Sequence, residues 1–264
     1  MEPEVYTQVK TSIKRKLGID LTNYKDEQMK RRLDSWLVRA RVENWNDYFT
    51  LCTEDATELE RFRNYLTINV TEFFRDPNRW SMLSHDIIPY LIKNVADSHS
   101  VGGLKLWSAG CSIGTEPYTM AIMMGEEFQN QKYSLLATDL DRGALLKARN
   151  RGPYSSDDVR NLSAAQKQKY ITPKAPFHVN DGLQRNIRFQ EQDLFADRFD
   201  TGFDLIVCRN VVIYFTAEAK DVLYAKFTAA LRPGGVLFLG GTEIISGPIK
   251  FGLQSFGISF YKKL

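Results

Sequence analysis

The residues of this chain that could carry chemistry stand directly after short apolar segments. The clearest case is the small-residue turn Ser108–Gly114, which follows the apolar run Leu104–Trp107 and precedes a helical pattern that begins near Pro117. In an open α/β sheet, a turn between a strand and a helix is where nucleotide-like ligands bind, and glycine lets a ligand approach the backbone closely. We therefore predict a ligand site at this turn, with Thr115 or Glu116 capping the helix.

The glycine spacing separates this turn from two common phosphate-binding motifs. Gly110 and Gly114 are four positions apart, whereas the dinucleotide motif G-x-G-x-x-G needs three glycines, and no Gly-Lys-Ser/Thr follows as in a P-loop. A looser turn with an acidic residue after the next strand suits an adenosine ligand without phosphates. S-adenosylmethionine (SAM) is the commonest such ligand, and a plain tight turn is the alternative.

An acidic residue does follow the next predicted strand. Asp139 comes 25 positions after Gly114, at the end of the strand Tyr133–Thr138, where a carboxylate can accept two hydrogen bonds from a ribose diol. Its alternative role is to cap the helix Arg142–Arg149, although Asp141 is the better candidate for that cap.

Two more polar clusters follow the third and fourth predicted strands. Asp193 could accept a hydrogen bond from an adenine amino group while Leu194 covers the ring, and the alternative is an ordinary loop acid. Arg209 and Asn210 follow a continuous apolar run of the kind that forms a central buried strand, where polar groups are expected to carry chemistry. Tyr214 comes shortly after them, and its alternative role is a core aromatic residue with a hydrated hydroxyl.

The N-terminal third of the chain has helical periodicity and a strong positive charge. Lys10–Arg41 contains ten basic and four acidic residues, a net charge of +6 against +3 for the whole chain. A basic helical region on a slightly acidic remainder indicates an acidic partner. The cluster Lys30, Arg31 and Arg32 is the candidate docking site, and the alternative is a solvated helix face.

The segment Ile68–Arg75, INVTEFFR, is too polar for a core strand and too aromatic for a plain linker. Asn69, Thr71 and Arg75 offer hydrogen-bond donors in this segment. The alternative is a connection between helices that buries its phenylalanines.

Composition excludes several classes of protein. With 264 residues, 43% hydrophobic and 25% charged, the chain has the composition of a soluble globular protein. No apolar run reaches the ~18 residues of a membrane span, and no export signal is visible at the start. Its three cysteines and three histidines are dispersed, which predicts no disulfide framework and no metal site, and favours a reducing cytoplasm.

Strand and helix patterns alternate from Leu104 onwards, as in a parallel sheet with crossover helices. We predict a helical domain over residues 1–75, a connecting helix and linker over 76–103, and a ligand-binding domain over 104–264. The alternative is that Ile68–Arg75 folds over the second domain. Within the second domain we expect a small hairpin insertion near 171–189 with an Asp181-Gly182 turn.

The C-terminal part of the second domain gives two further expectations. The Pro233–Gly235 segment predicts a turn into a strand, and Phe256–Tyr261 predicts an antiparallel closing strand paired near Thr242.

Five segments, in this order, resemble the CheR chemotaxis-receptor methyltransferases: NVTEFFRDP, LWSAGCSIGTEPY, ATDLD, FDLIVCRNVVIYF and LRPGGVLFLGGTE. The resemblance covers most of the chain, including the basic helices. It implies a class I SAM-dependent methyltransferase with a Rossmann-like seven-stranded α/β sheet, a helical N-terminal domain and a small β-subdomain. It also implies transfer of a methyl group to glutamate side chains of chemoreceptors, with S-adenosylhomocysteine as the other product.

We call Ile68–Arg75 the connector segment and Ser108–Gly114 the glycine turn. The resemblance implies SAM contacts along these two segments and the strand ends, at Asn69, Thr71, Arg75, Ala109, Gly110, Glu116, Asp139, Asp193, Leu194, Arg209 and Asn210. It puts Glu116 beside the SAM amino group, Asp139 on the ribose and Tyr214 near the transferred methyl. Asp193 departs from the asparagine that is frequent in the family, but a hydrogen bond to adenine survives the change.

Methyl transfer from a sulfonium to a carboxylate is a direct in-line displacement. A glutamate is already ionised at neutral pH, so no general base is needed, and the protein must align the reactants and exclude water. We assign Arg75 to steering carboxylate charge, of either substrate or cofactor, and Tyr214 to fixing the geometry of the acceptor.

The predicted insertion bears on how the protein finds its partner. Family members that tether to a receptor's C-terminal pentapeptide have a longer, glycine-containing β-subdomain, whereas residues 171–189 here are few and contain Pro173 and Pro176. We therefore predict the pentapeptide-independent branch, docking directly on the cytoplasmic helical region of receptors. We expect a cytoplasmic monomer recruited to membrane receptor arrays, with no nucleic acid or metal partner.

Two rival functions fit part of the sequence. A nucleic-acid methyltransferase would use the basic helices, but the Asp/Asn-Pro-Pro-Tyr motif that grips a flipped base is absent. A SAM-sensing adaptor without catalytic activity would keep the glycine turn and Asp139 but would not need Arg75 and Tyr214.

Overall fold

The computed structural model describes residues 1–67, 69–97 and 103–264. They cluster into two compact units, one of Met1–Ile68 with Tyr214–Asp221 and the other of Asn69–Ile213 with Val222–Leu264. Most of the predicted linker, residues 98–102, and the first residue of the predicted connector segment, residue 68, lie outside the described residues. No helix in the described ranges is long and apolar enough to span a bilayer.

The N-terminal segment of the first unit forms, within the described residues, the helices α1 (Pro3–Leu17), α2 (Asp26–Ala40), α3 (Trp45–Glu54) and α4 (Ala56–Leu66). The predicted apolar stripe of α1 is buried. Gly18 ends that helix as predicted, with φ of 73° and its N–H donated to the carbonyl of Lys14, because glycine adopts the left-handed conformation without strain.

Aromatic side chains hold these helices together. Trp36 on α2 contacts Phe62 on α4, and both contact Tyr48 on α3 with ring centroids 5.2–6.2 Å apart. The segment Tyr214–Asp221 joins this unit through backbone bonds: the Lys25 N–H donates to the carbonyl of Tyr214 at 3.0 Å. Tyr214 is therefore part of the first unit.

The second unit alternates helices and strands around one sheet. Its elements are α5 (Pro77–Met82), which continues through a π-helical turn (Leu83–Ile87) into α6 (Ile88–Asp97), then β1 (Leu104–Ala109), α7 (Thr115–Glu127), β2 (Tyr133–Asp139), α8 (Arg142–Arg149), α9 (Ala164–Tyr170), β3 (Ile187–Glu191), β4 (Phe203–Cys208), α10 (Ala217–Ala230, grouped with the first unit up to Asp221), β5 (Leu231–Leu239), β6 (Leu253–Ser255) and β7 (Phe260–Lys263).

Within the described residues the sheet has seven strands in the order β3-β2-β1-β4-β5-β7-β6. The first five are parallel, and β7 is antiparallel to both β5 and β6. Strand β4 is buried along its whole length, as a central strand covered on both faces requires. The α/β sheet and the helical N-terminal region are thus confirmed. The carboxyl ends of the parallel strands lie along one edge of the sheet.

Two predictions about the C-terminal strands are partly wrong, although residues 236–239 lie in a strand and an antiparallel strand closes the sheet as expected. Pro233–Gly235 lies inside β5 as a bulge, because Phe203 pairs with Leu231 while Leu205 pairs with Val236, and a bulge tolerates a proline that cannot donate to the ladder. The closing strand begins at Phe260 and pairs with β5 and β6, not near Thr242.

The predicted hairpin near 171–189 is also wrong. Asp181–Gln184 forms a short helical turn, and the antiparallel contacts before it are single bridges, Tyr154 with Phe177 and Ile171 with Val179. Pro173 and Pro176 lie between the bridging residues, and a proline has no N–H to extend a ladder.

Candidate active site

The connector segment is joined to the glycine turn by side-chain hydrogen bonds. The Asn69 amide donates to Asp141 Oδ2 at 2.6 Å, and its Oδ1 accepts from the Ser112 hydroxyl at 2.6 Å. The hydroxyl oxygens of Thr71 and Thr115 are 2.5 Å apart. Two of the predicted cofactor residues, Asn69 and Thr71, therefore lie against the turn that was predicted to hold the ligand.

Both glycines of the turn are required by their protein neighbours. Gly110 has φ of 81°, and a β-carbon there would lie 2.6 Å from a methyl group of Val211. Gly114 has φ of 89°, and its β-carbon would lie 2.8 Å from that of Ala148. The sequence predicted that a ligand approaches the backbone at these glycines, and the packing supplies a second reason for them.

Gly114 also changes how α7 begins. The predicted cap at Thr115 or Glu116 is wrong, because Gly114 is the residue that precedes the helix and Thr115 is its first residue. Pro117 lies within the first turn of α7, where no N–H has an intrahelical partner and the missing donor costs nothing.

Asp139 lies at the end of β2 with both carboxylate oxygens facing backbone amides. Its Oδ2 accepts from the Ser112 N–H at 2.7 Å, and its Oδ1 accepts from the Asp141 N–H at 2.9 Å. Burial raises the pKa of Asp139 to about 6 in spite of these bonds. Asp141 caps α8 as predicted, accepting from the Ala144 N–H at 2.9 Å, so the cap and the candidate ribose ligand are different residues.

Glu116 projects from the first turn of α7. Its Oε1 accepts from the Ser108 hydroxyl at 2.8 Å. Burial raises the pKa of Glu116 to about 7, while the positive charges of Arg209 and Arg75 oppose the rise. Ala109, the remaining predicted residue of this turn, is fully buried at the end of β1.

Arg209 ties the end of β4 to the connector segment. Its guanidinium donates to the carbonyl of Arg75 at 3.0 Å and to Asp76 Oδ2 at 2.7 Å. The same group lies over the rings of Trp80 and Phe238, a favourable position for a guanidinium. Arg209 is only 6% exposed, and burial lowers its pKa. Its contacts within the described residues are therefore mainly structural.

Arg75 lies beside these groups and is half-buried. Its guanidinium donates to the carbonyl of Val70 at 2.8 Å, which folds the side chain back along the connector segment. Its charge contributes to the electrostatic field at Glu116 and at Arg209.

The loop after β3 is held in shape by two side chains, Asp193 of the loop itself and Lys226 of α10. Asp193 Oδ1 accepts from the N–H groups of Phe195 and Ala196 at 2.7 and 3.1 Å. The ammonium group of Lys226 donates to three carbonyls of the loop, including that of Leu194 at 2.6 Å. Asp193 thus forms a turn with one oxygen. Lys226 holds the backbone around Leu194, and no motif in the sequence pointed to this lysine.

Asn210 has a left-handed backbone with φ of 59°. Its N–H donates to the carboxylate of Glu243 at 2.9 Å, and Glu243 was also missed. The rule that pointed to Asp139, an acidic residue just after a buried strand, could have found Glu243, which follows β5 by four positions.

The three residues of the predicted docking cluster lie on α2 in different surroundings. Arg31 is exposed and Lys30 is half-buried over the ring of Tyr6. Arg32 points inward: its guanidinium lies over the ring of Tyr65 and donates to the carbonyls of Tyr65 and Thr67. Arg32 therefore holds α2 against the end of α4 within the first unit.

The second unit has the charge that a cationic nucleoside requires. Three carboxylates, Glu116, Glu243 and Asp76, share their electrostatic surroundings with two guanidinium groups, Arg75 and Arg209. If all five groups were ionised, they would carry one negative charge in excess. Burial disfavours the ionised form of Glu116, and a bound cation would favour it. The residues present therefore fit SAM, which carries a sulfonium and an ammonium group. Among the described residues no group of side chains is arranged to hold a metal ion.

Two family models match the chain. One, described as the all-alpha domain of CheR methyltransferase, matches residues 4–67, and the other, described as the SAM binding domain of CheR methyltransferase, matches residues 69–256. The chain belongs to the CheR methyltransferase family. This CheR protein is accordingly a SAM-dependent methyltransferase, as the sequence motifs predicted.

Chemotaxis protein methyltransferases from several bacteria are similar to this CheR protein over most of its length. The one from Listeria innocua is 43% identical over 252 residues, covering 95% of this chain and 94% of the relative. The one from Listeria monocytogenes is 42% identical with the same coverage. The one from Borreliella burgdorferi is 32% identical, covering 87% of this chain and 84% of the relative.

Proposed function

We propose that this CheR protein transfers the methyl group of SAM to glutamate side-chain carboxylates of chemotaxis receptors, forming glutamyl methyl esters for sensory adaptation. The observation that carries the proposal is a pair of half-buried acids, Glu116 in the first turn of α7 and Asp139 at the end of β2. Burial raises the pKa of Glu116 to about 7 and that of Asp139 to about 6, so a bound cation would favour the ionised form of both. Such a site is complementary to a cation that carries a diol. The names of the relatives support a chemotaxis protein as the methyl acceptor.

Each predicted contact to SAM has a residue of suitable chemistry. The Glu116 carboxylate would pair with the amino group, Asp139 would accept from the ribose hydroxyls, and the loop around Leu194 would enclose the adenine. SAM supplies an electrophilic methyl group when bound. Asn69 and Thr71 hold the connector segment against the glycine turn by their bonds to Ser112 and Thr115. In this position the segment would restrict access of water to the reacting groups.

The acceptor needs orientation more than activation. A glutamate carboxylate is ionised at neutral pH, so its oxygen is already a nucleophile, and the contribution of the protein is alignment. Arg75 would attract the acceptor carboxylate or the SAM carboxylate, because its guanidinium is the more exposed of the two arginines near Glu116. Tyr214 would orient the acceptor.

The basic surface of α2 would bind the acidic cytoplasmic helices of receptors at membrane arrays, directly and without a pentapeptide tether. Arg31 and Lys30 are the candidates for this contact, and charge complementarity would raise the encounter rate. Arg32 would act indirectly, since its guanidinium is occupied by carbonyls within the first unit.

The proposal is tested by incubating the protein with labelled SAM and receptor-rich membranes, followed by alkali. We expect label in the receptor band and release of volatile methanol, the signature of a carboxyl ester. Asp139→Asn serves as the matched negative control. Label in added RNA, or label in the receptor that resists alkali, would contradict the proposal.

A second test concerns the roles of Arg75 and Tyr214. Turnover is measured at saturating SAM and receptor for Arg75→Ala and Tyr214→Phe. We expect both to be slower than the native protein, because each removes an orienting group, and unchanged turnover in both would refute the assignment.

A further inference from the structure

The carboxylate of Glu243 is buried, and its hydrogen bonds within the described residues all come from backbone amides. Its Oε2 accepts from the N–H groups of Asn210 at 2.9 Å and Gly240 at 2.5 Å, and its Oε1 accepts from the N–H of Ile213 at 3.2 Å. The residue is 4% exposed. Burial raises its pKa, and the three amide bonds and Arg209 oppose the rise. No cationic side chain in the described ranges forms an ion pair with it.

The chain around Glu243 leaves room for this carboxylate and for little else. Gly240 directly follows β5, and its carbonyl accepts the N–H of Glu243 at 2.9 Å, which closes a tight turn. A β-carbon on Gly240 would lie 2.5 Å from Glu243 Oε2 and 3.0 Å from the nitrogen of Asn210. Glycine at position 240 is therefore needed for the carboxylate to reach its partners.

Two of the three amide partners of Glu243, those of Asn210 and Ile213, belong to one short loop, residues 209–213, which we call the β4 loop. Its conformation is strained, because Asn210 has φ of 59°, and a left-handed residue other than glycine costs about 1 kcal/mol or more unless its surroundings hold it. Glu243 accepts from Asn210 near the start of the loop and from Ile213 at its end. One carboxylate thus fixes both ends of the loop.

The β4 loop contacts the other parts of the site. Arg209 donates to the connector segment at Arg75 and Asp76. Val211 lies against Gly110 of the glycine turn, so closely that a β-carbon on that glycine would lie 2.6 Å from its methyl group. A displacement of the loop would therefore disturb the connector segment and the glycine turn together.

We propose that Glu243 is a positioning residue for methyl transfer: its carboxylate holds the β4 loop in the strained conformation that the reaction uses. The inference rests on the proposed function for its catalytic consequence, but the holding of the loop is measurable without any acceptor. A buried charge without a cationic partner stabilises a fold poorly, which is consistent with its being kept for the geometry that it imposes.

Hydrogen exchange tests the holding of the loop. Amide exchange in the peptide that contains residues 209–213 is compared for the native protein, Glu243→Gln and Gly240→Ala. Glutamine turns an NH2 group towards at least one donor, and alanine displaces Oε2, so we expect exchange faster by about tenfold to a hundredfold, the equivalent of one hydrogen bond to a charged group. Thr242→Ala, in the same turn and exposed, should exchange like the native protein.

Turnover tests the consequence for the reaction. The kcat is expressed per SAM-binding site, with sites counted by calorimetry, so that unfolded protein does not contribute. We expect kcat lower by about tenfold or more in Glu243→Gln and in Gly240→Ala, and native kcat in Thr242→Ala. Native exchange in both variants, or native kcat per site in both, would overturn the proposal. If the native protein does not esterify receptors, the proposed function fails, while the exchange measurement still decides whether Glu243 holds the loop.

Discussion

Carboxylates in the two units have pKa values that are shifted in opposite directions. In the first unit, hydrogen bonds from Lys14 and Thr22 lower the pKa of Asp20 to about 2. In the second unit, burial raises the pKa of Glu116 to about 7 and that of Asp139 to about 6. The ionised form is thus favoured by its neighbours in one case and disfavoured in the other.

The difference indicates which unit awaits a charged ligand. Asp20 already has its cation, since Lys14 Nζ lies 2.6 Å away. Glu116 and Asp139 have hydroxyl and amide donors, but no cationic side chain within ion-pair distance in the described part of the chain. Acids held in this way become fully ionised when a cation binds, which is the behaviour expected of a site for a sulfonium nucleoside.

Glu116→Gln should give the largest effect, a loss of SAM affinity. Unchanged affinity would contradict the contrast between the acids of the two units. Removing the charge should weaken SAM binding by about tenfold to a hundredfold, the range for a hydrogen bond to a charged group. In the native protein, affinity should rise with pH through about 7 as Glu116 ionises, and the variant should lose that component. Calorimetry at pH 6 and pH 8 measures both, with Glu126→Gln at the far end of α7 as control.

The same variant has a predictable effect on stability without ligand. The folded protein keeps a proton on Glu116 that the unfolded chain releases between about pH 4.5 and about pH 7, so this group lowers the free energy of unfolding as pH rises through that window. Thermal melting should show Glu116→Gln gaining stability relative to the native protein at pH 8 but not at pH 4. A constant difference at both values would contradict the raised pKa.

Charge reversal at two adjacent arginines of α2 compares a buried contact with an exposed side chain in the first unit. Arg32→Glu should lower the free energy of unfolding by about 2 kcal/mol, because it removes charged hydrogen bonds to the carbonyls of Tyr65 and Thr67. Arg31→Glu, on the exposed side of the same helix, should change stability by less than about 0.5 kcal/mol. Denaturant titration measures the difference.

Receptor methylation tests the role of Arg31, whose charge reversal has little effect on stability. Arg31→Glu should lower kcat/KM for the receptor, most strongly at low salt, and should leave SAM affinity unchanged. Equal kcat/KM in the native protein and Arg31→Glu at every salt concentration would remove Arg31 from the docking surface.

Asp20→Asn should give the smallest effect, a slight decrease in the free energy of unfolding. The lowered pKa means that Asp20 stabilises the folded state above its unfolded pKa of about 3.8 and loses that contribution as the pH falls towards about 2. The site is partly exposed, so the loss at pH 7 should be below about 1 kcal/mol, as for other surface ion pairs. Urea titration at pH 7 and pH 2.5 should show the difference between variant and native protein shrinking in acid.

Much of the fold follows from local patterns in the sequence. The stripe Tyr6, Val9, Ile13 and Leu17 and the closing Gly18 predict α1, because a four-turn helix with one apolar face has few alternatives. The apolar run of β4 predicts a strand buried on both faces for a similar reason. The acids after the strands could be predicted because parallel strands put their carboxyl ends along one edge.

Other features depend on partners that are distant in the chain. Pro233–Gly235 has the composition of a turn, and only its pairing with β4 makes it a bulge. Arg32 belongs to a basic run, and only the packing of α4 turns it inward. Asp193 has the position of a ligand, yet two amides of its own loop occupy one oxygen. The sequence shows which side chains are present, but it does not show which distant residues they contact in the folded protein.

The far edge of the sheet has a consequence for how partners can bind. The strand at that edge, β6, has three residues, Leu253–Ser255, and its neighbour β7 already pairs with it along that length. So short an edge offers too few backbone groups to capture an extended peptide by strand addition. A partner that approaches β6 must be recognised through side chains, and this favours folded helical partners over unstructured tails at this edge.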